Sequence, residues 1–256
     1  MDYLNLHVED SDIVTLTITR PSARNALSAG VLTELQHFLR TASKPMILTG
    51  APGPAFVAGA DIREMAAMTP AEGAEFGRLG QTVMNLLESV PAPVIACVDG
   101  YALGGGCELA MAADFIYATS KAVFGQPEVL LGLIPGFGGC VRLQQLVGPG
   151  LARELIYSGR KIDAAQAQRI GLVNEVFDSR QDMLAAAART LREIAQNSPV
   201  AVALCKDAIN GARGTNVVTG LELEAAAFRQ AFTTPDMREG TDAFLAKRTP
   251  VFQRAT

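Results

Sequence analysis

Two glutamates lie in stretches of this sequence that are otherwise apolar. Glu108 follows the glycine triplet 104–106 and precedes the apolar run 109–113, so a helix formed here is apolar on every face and should be buried. Glu128 is the acid in the segment 123–131. An ionised carboxylate in such surroundings is costly unless it is paired or protonated. Carboxylates placed in this way are candidates for proton transfer.

The glycine triplet before Glu108 offers a second element of the same chemistry. The order of apolar strand, glycine-rich turn and helix is predicted at 47–65 and again at 94–113. Each helix start carries unpaired N–H groups and a partial positive charge. The N–H groups of two such helix starts could converge on one carbonyl oxygen. They would polarise that carbonyl while a nearby carboxylate moves a proton.

Each feature taken alone has a plainer interpretation. Glu108 could be a structural carboxylate with satisfied hydrogen bonds, and Glu128 could cap the helix that follows it. The glycine triplet could be a turn packed closely against a neighbour. Because both acids occur together with two candidate donor sites, the set favours a catalytic site.

Other kinds of catalytic site are poorly supported. The segment 136–141 has G-x-G but Val141 where a third Gly or Ala should stand, and no G-x-x-x-x-G-K-[ST] occurs. No serine lies in G-x-S-x-G, and His7 and His37 suggest neither a triad nor a zinc site. We therefore expect no metal and no bound cofactor.

The four cysteines, Cys97, Cys107, Cys140 and Cys205, are widely separated and form no C-x-x-C. We expect all four to be small buried apolar residues without a redox or metal role.

The composition is that of a globular protein with an apolar interior or an oligomer interface. Of 256 residues, 49% are hydrophobic, and the mean hydropathy is +0.21. The net charge of −4 gives no electrostatic footprint for nucleic acid. No apolar run reaches the roughly 18 residues of a membrane helix, and the first residues resemble no signal or transit peptide. We expect no nucleic-acid or membrane partner, and a cytoplasmic protein or an organelle protein after loss of a presequence.

Strands and helices alternate in the first part of the chain. Apolar or alternating runs predict strands at 14–19, 46–49 and 94–98, and helices are predicted from Ser28 to about residue 40 and over about 71–89. Asp61 could be catalytic too, but after Gly59-Ala60 the plainer interpretation is the N-cap or first-turn acid of a helix.

The predicted secondary structure changes beyond about residue 197, after which only helices are predicted. Ser198-Pro199 should begin one helix and Gly211 should end it, a second covers 221–232, and Thr234-Pro235 begins a third that runs through Phe244. A segment of this size without strands should dock on the core or on another subunit.

Five segments of the sequence resemble the crotonase superfamily, and within it the enoyl-CoA hydratases most closely. They occur in order and span nearly the full chain: 20–27 (RPSARNAL), 55–65 (AFVAGADIREM), 100–109 (GYALGGGCEL), 124–128 (FGQPE) and 134–139 (IPGFGG). The resemblance implies an α/β fold, a crotonase-like spiral of repeated ββα units over residues 1–196 that holds the active site. It also implies a helical C-terminal oligomerisation region, 197–256, that builds trimers, commonly stacked in pairs as hexamers.

The resemblance implies that the protein is a lyase that adds water to trans-2-enoyl-CoA. In the family, backbone N–H groups at positions matching Ala60 and Gly105 form an oxyanion hole for the thioester oxygen. Glu108 would then activate the water and Glu128 would donate a proton to C2. The N–H of Gly136 would help to place the water.

The resemblance implies CoA contacts less directly, at Arg24, Ala58, Asp61, Ile62, Phe244 and Lys247. Phe244 and Lys247 match residues that reach a CoA bound by the adjacent subunit. A cation such as Arg24 suits a phosphate, although a solvated surface charge is the plainer interpretation. Ile62, Met65 and Met68 are expected to face the acyl tunnel.

The sequence departs from the family pattern in two places, and two functions other than enoyl-CoA hydratase are alternatives. The stretch 38–46 is shorter than usual, and Cys140-Val141-Arg142 stands where relatives often have Thr-Gln-Arg. A Δ3-Δ2-enoyl-CoA isomerase or another crotonase-type enzyme is the nearest alternative, but an isomerase needs one base and both glutamates are present. A non-enzymatic RNA-binding crotonase homologue would need a lysine-rich helix face, which this acidic chain does not display.

Overall fold

The computed structural model describes residues 1–9 and 13–253. Residues 254–256, the last of the predicted C-terminal region, lie outside the described residues. The strands are β1 (Leu4–Glu9), β2 (Ile13–Ile18), β3 (Met46–Gly50), β4 (Ala55–Val57), β5 (Val94–Val98), β6 (Tyr101–Leu103), β7 (Phe115–Thr119), β8 (Val123–Gly125), β9 (Ile162–Asp163) and β10 (Glu175–Phe177).

Helices follow the strands and continue alone at the end of the described chain. They are α1 (Ala29–Leu39), α2 (Ile62–Met65), α3 (Pro70–Ser89), α4 (Gly105–Met111), α5 (Gly139–Val147), α6 (Pro149–Ser158), α7 (Ala164–Arg169), α8 (Arg180–Ile194), α9 (Pro199–Ala212), α10 (Val217–Ala231) and α11 (Pro235–Leu245). Short 3-10 helices cover Pro21–Ala23 and Glu128–Leu131.

The described strands form two sheets, and the chain passes repeatedly from one sheet to the other. One sheet has the order β1-β2-β3-β5-β7-β10 and is parallel except between β1 and β2. The other has the order β4-β6-β8-β9, with β4, β6 and β8 parallel. The pairs β3-β4, β5-β6 and β7-β8 each place their first strand in the larger sheet and their second in the smaller one, and helical residues follow. The predicted spiral of ββα units is confirmed.

This spiral brings the chain to the same edge of the smaller sheet three times. Ala55 of β4 lies beside Tyr101 of β6, and Tyr101 lies beside Val123 of β8. The segments that leave the three strands therefore emerge next to one another, since parallel strands end at a common edge. These segments carry Ala60, Gly105 and Glu128.

The continuous apolar runs of β3 and β5 are explained by cover on both faces. On one face Ile47, Ile95 and Cys97 pack with Met183 and Leu191 of α8. On the other face, the main core contains Leu48 and Ala96 together with residues of α1, α3 and α4. Both strands are buried along their whole length, as the strand prediction required.

Side-chain caps define several helix starts where the sequence predicted them. Ser28 Oγ accepts a hydrogen bond from the Val31 N–H at 3.3 Å, and Ser198 Oγ accepts one from Ala201 at 3.1 Å. The predicted caps at Asp61 and Thr234 are also present. Each cap satisfies an N–H group that has no partner within the helix.

Two helix boundaries differ from the prediction. α10 begins at Val217, four residues before the predicted start, because the Asn216 side chain accepts from the Thr219 N–H and caps it. α9 continues through Gly211 to Ala212. Glycine ends a helix mainly where it adopts a left-handed backbone, and in this segment Gly214 has the positive φ, 71°.

The C-terminal helices are attached to the core through α9. Lys206 Nζ lies 2.9 Å from Asp114 Oδ2, and the Asn210 amide donates to the Glu88 carbonyl at 3.1 Å. α10 packs against α9 and has no buried residue of its own. None of the helices in the described ranges is long and apolar enough to cross a membrane.

The expectation that all four cysteines are buried is wrong for two of them. Cys97 and Cys107 are buried, but Cys140 and Cys205 are exposed. In α5 the buried residues are Gly139, Arg142 and Leu143, and in α9 they are Leu204 and Lys206. The helical period therefore turns Cys140 and Cys205 to the open side.

Candidate active site

The two glutamates are brought together by neighbouring strands of the smaller sheet. Glu108 lies in the first turn of α4, which follows β6, and Glu128 begins the 3-10 helix that follows β8. Gly104 donates its N–H to the Gly125 carbonyl at 2.9 Å and so links the two strand ends. A Cβ atom added to Gly104 would lie 2.5 Å from Glu128 Oε1. The Glu128 carboxylate therefore rests against the backbone that leads into Glu108.

Glu108 is held by two backbone donors from a distant loop. Its Oε1 accepts hydrogen bonds from the N–H groups of Phe137, at 2.8 Å, and Gly139, at 2.6 Å. The residue is only 1% exposed. Burial, together with the nearby charge of Glu128, raises the pKa of Glu108 to about 7, and the N–H groups of Gly139 and Phe137 oppose the rise. Both recorded donors reach Oε1, which leaves Oε2 for another partner.

Glu128 is half-buried and does not cap a helix. Pro127 is the N-cap of the 3-10 helix and Glu128 is its first residue, so the capping interpretation is wrong. Burial raises the pKa of the Glu128 carboxyl to about 7. With its amide nitrogen turned towards the carboxylate, the buried Gln126 donates to both Glu128 oxygens at 3.1 Å. This orients the carboxyl group without neutralising it.

Both carboxyl groups have pKa values raised towards neutral pH. Burial raises the pKa of each to about 7, and the charge on Glu128 also opposes the ionisation of Glu108. A carboxyl group with such a pKa can take up or release a proton near neutral pH, as acid and base catalysis requires.

Two backbone N–H groups meet beside these acids. Ala60 follows β4, and Gly105 is the first residue of α4. A Cβ atom added to Gly105 would lie 3.3 Å from the Ala60 nitrogen, so the two backbones are in close contact. Within the described residues, neither N–H donates to a backbone oxygen. The pair is therefore available to bind an external oxygen.

The segment around Ala60 is braced on both sides. Leu27 donates to the Gly59 carbonyl, and Asp61 donates its N–H to the Leu27 carbonyl, both at 2.8 Å. The Asp61 carboxylate accepts from the N–H groups at the start of α2 and forms an ion pair with Arg20 at 2.6 Å. These bonds hold Ala60 in place and already use the Asp61 side chain.

Gly136 precedes the loop that contacts Glu108. The Gly136 carbonyl accepts a hydrogen bond from the Gln81 side chain of α3 at 3.0 Å, and Gly136 is half-buried. The contacts of Glu108 with Phe137 and Gly139 were not foreseen from the sequence, and neither was the position of Gln126. The one available signal was the glycine-rich segment 136–139, which permits the backbone of Gly138 to adopt a φ of 110°.

The residues expected to contact CoA fall into two groups. Arg24 is exposed and its carbonyl accepts from the Ala58 N–H at 3.1 Å, while Asp61 and Ile62 follow Ala60 directly. Phe244, which is 82% exposed, and Lys247 lie at the end of α11. In the described part of the chain, no hydrogen bond or ion pair joins Phe244 or Lys247 to the first group.

The residues expected to line the acyl tunnel lie beyond the candidate oxyanion hole. Ile62 is 48% exposed, whereas Met65 and Met68 are partly buried against the main core. Among the described residues, no group of three or more His, Cys, Asp and Glu side chains could hold a metal ion.

Comparison with known proteins gives a family match over nearly the whole chain. The family model described as enoyl-CoA hydratase/isomerase matches residues 9–255. The chain is 44% identical to a short-chain-enoyl-CoA hydratase of Clostridium acetobutylicum and 44% identical to a crotonyl-CoA hydratase of Syntrophomonas wolfei, in each case over 97% of both proteins. The crystal structure of an enoyl-CoA hydratase from Bacillus anthracis matches with a TM-score of 0.92 and 38% identity over 98% of each chain.

Proposed function

The chain belongs to the enoyl-CoA hydratase/isomerase family, and from this premise we propose that it hydrates trans-2-enoyl-CoA thioesters to 3-hydroxyacyl-CoA. The observation that carries the proposal is the pair Glu108 and Glu128, two acids with pKa values raised to about 7 beside two free backbone donors. The relatives named hydratases cover nearly the full chain and support the same activity.

The first task of the site is to polarise the thioester. The N–H groups of Ala60 and Gly105 bind the thioester oxygen, and the start of α4 adds the partial positive charge of a helix N-terminus. Charge that develops on this oxygen during water addition is stabilised by donors that are already in place. The conjugated C3 atom then becomes electrophilic.

The second task is to add water across the double bond. Glu108 takes a proton from the water as its oxygen bonds to C3, and Glu128 delivers its proton to C2. The thioester returns to its neutral form, and the proton that Glu128 gave is balanced by the one that Glu108 received. Gly136 is proposed to help place the water through its N–H. Two acids suit this addition, whereas an isomerase shuttles one proton with one base.

The substrate itself supplies the CoA group, and we propose no further cofactor. Arg24 is an exposed cation that can meet a phosphate, its carbonyl accepts a hydrogen bond from the Ala58 N–H, and Ile62 begins α2. Because the Asp61 carboxylate is occupied by Arg20 and the start of α2, we propose that Asp61 supports the CoA site by fixing this loop. Phe244 and Lys247 are proposed to contact CoA in a neighbouring subunit.

We propose that the preferred substrates have short acyl chains. The two relatives above are named for short-chain and crotonyl substrates. In this chain the Phe137 ring is buried, stacks edge-on against Phe76 at 5.4 Å, and lies 3.1 Å from where a Cβ of Gly105 would be. An aromatic ring beside a candidate oxyanion-hole residue, itself backed by a second ring, leaves less room than small side chains would.

The purified protein is expected to hydrate crotonyl-CoA without added metal or nucleotide. The measurement is the loss of the conjugated enoyl absorbance over a ladder of trans-2-enoyl-CoA substrates, with kcat/KM compared between chain lengths. The highest values should fall at the short end. Absence of hydration at every length from four to sixteen carbons would refute the activity, and a preference for the longest chains would refute the short-chain assignment.

The C-terminal helices support the proposal of a trimer or a hexamer. The end of α10 exposes the rings of Phe228 and Phe232, which meet edge to face with centroids 5.1 Å apart and of which Phe228 is 66% exposed. Val217, Val218 and Leu221 on the same helix are also exposed. An apolar surface of this kind is typical of a subunit interface. A neighbouring subunit would also complete the CoA site with Phe244 and Lys247.

Light scattering coupled to size exclusion should therefore give a mass of three chains or a multiple of three. Phe228→Glu should shift the protein to smaller species, because the new charge would be buried in the apolar interface. Ala185→Glu is the matched control, since Ala185 is exposed on α8, and it should leave the mass unchanged. A stable wild-type monomer or dimer would contradict the assembly and the proposed role of Lys247.

The cytoplasmic location stays a prediction.

A further inference from the structure

Arg142 of α5 is buried beneath the loop that binds Glu108. The residue is 8% exposed, and its Nη1 donates to the Phe137 carbonyl at 3.3 Å. The N–H of the same Phe137 residue donates to Glu108 Oε1. One peptide segment therefore connects the guanidinium group directly to the candidate base.

The loop is shaped to admit this guanidinium group. Gly138 has a φ of 110°, and a Cβ atom at this position would lie 2.2 Å from Arg142 Nη1. A side chain at residue 138 would therefore be strained and would collide with the arginine. Gly138 is also the residue between the two amides, of Phe137 and Gly139, that reach Glu108.

The other end of the guanidinium group is fixed to α3. Arg142 Nη2 donates to Asn85 Oδ1 and to Glu88 Oε2, each at 2.8 Å. Glu88 also pairs with Arg213 at the end of α9. Because α3 is a 20-residue helix packed against α1 and α4, Arg142 ties the catalytic loop to a rigid support.

The charges around Glu108 agree with this arrangement. Burial and the charge of Glu128 raise its pKa, while the N–H groups of Gly139 and Phe137 and, to a smaller extent, the cation of Arg142 lower it. The thiols of Cys107 and Cys140 have raised pKa values and stay neutral near pH 7. Arg142 is thus a cation that favours the ionised form of Glu108. The Glu88 carboxylate, which is shared between Arg142 and Arg213, holds the Arg142 side chain in place.

We propose that Arg142 is a positioning residue that fixes the Phe137 and Gly139 amides and so keeps Glu108 oriented and ionised for its role as base. The proposal rests on the proposed function for the role of Glu108 as base. The hydrogen bonds themselves do not depend on it.

Arg142→Met removes the charge and the hydrogen bonds, and Arg142→Lys keeps the charge but cannot bridge the loop and α3 in the same way. For Arg142→Met we expect kcat for hydration to fall roughly 10²-fold, as for other small displacements of catalytic groups, with KM little changed. Arg142→Lys should lie between this variant and the wild type. Arg189→Met, at an exposed position of α8, is the control and should retain wild-type kinetics.

The pH dependence separates positioning from general loss of structure. The acidic limb of kcat/KM reports ionisation of Glu108 in the free enzyme. In Arg142→Met this limb should move to higher pH, because the variant loses the cation that lowers the Glu108 pKa. An unshifted limb with a lower kcat would mean that Arg142 is merely structural, and wild-type kcat would refute its role altogether.

Infrared difference titration provides a readout that needs no activity. The carboxyl signal of Glu108 is identified by subtracting the spectrum of Glu108→Gln, and its midpoint is compared between the wild type, Arg142→Lys and Arg142→Met. The midpoint should rise in Arg142→Met, whether or not the wild type hydrates enoyl-CoA. An unchanged midpoint would overturn the proposal. Should Arg142→Met fail to fold, as judged by circular dichroism, Asn85→Ala removes an uncharged acceptor of Arg142 Nη2 and should shift the midpoint in the same direction.

Discussion

Glu108→Gln and Glu128→Gln are each expected to lower kcat for hydration by roughly 10²–10⁴-fold. Glutamine keeps the size of the side chain and can still accept the N–H bonds of Phe137 and Gly139, but it cannot take up or release a proton as a carboxyl group does. Both changes act on the step at which water adds, so KM should change little. Steady-state kinetics with crotonyl-CoA measure the effect.

The double variant shows whether the two acids act on one water. If they do, Glu108→Gln combined with Glu128→Gln should lose much less than the product of the single losses. Glu75→Gln, an exposed change on α3, is the control and should retain wild-type kcat. Near-normal hydration by Glu108→Gln together with an inactive Glu128→Gln would contradict the two-acid mechanism and favour an isomerase with one base.

Gly104→Ala is expected to lower kcat by at least about 10²-fold. Gly104 has φ 49° and ψ −122°, a conformation that L-residues avoid. Its Cβ would also lie 2.5 Å from Glu128 Oε1, so the alanine methyl must displace the carboxylate. The measurement is kcat for hydration, with circular dichroism to show that the variant is folded.

Gly77→Ala provides the matched control for this substitution. Gly77 lies inside α3, and a Cβ there meets no atom within 4 Å, so the variant should be fully active and somewhat more stable, since alanine favours helices. If Gly104→Ala folds and keeps wild-type kcat, the Glu128 carboxylate does not need the position against Gly104, and the arrangement of the site is incorrect.

The sequence was sufficient to predict the repeated unit that positions the site. The order of apolar strand, glycine-rich turn and helix at 47–65 and 94–113 predicted β3 with α2 and β5 with α4, whereas the second strand of each unit, β4 or β6, was implied only by the family resemblance. Strands buried on both faces and helices with side-chain caps leave local patterns that can be recognised. The buried position of Glu108 followed from the apolar helix around it, because that helix has no polar face.

Long-range backbone contacts could not be predicted in the same way. The two N–H groups that bind Glu108 belong to residues about thirty positions later in the chain. The direction in which these N–H groups point depends on the positive φ of Gly138. The local sequence does not mark Arg142 as a buried residue, and its burial and its contacts with Asn85 and Glu88 of α3 appear only in the structure. Exposure of Cys140 and Cys205 likewise depends on which side of a helix faces the core.

Incubation of the wild-type protein with crotonyl-CoA in water enriched in oxygen-18 tests the central claim most directly. Mass spectrometry of the thioester should show the gain of one water, with the heavy oxygen on C3 of the product. Glu108→Gln and Glu128→Gln should form this product far more slowly under the same conditions. A thioester whose double bond moves while its mass stays constant would contradict the account.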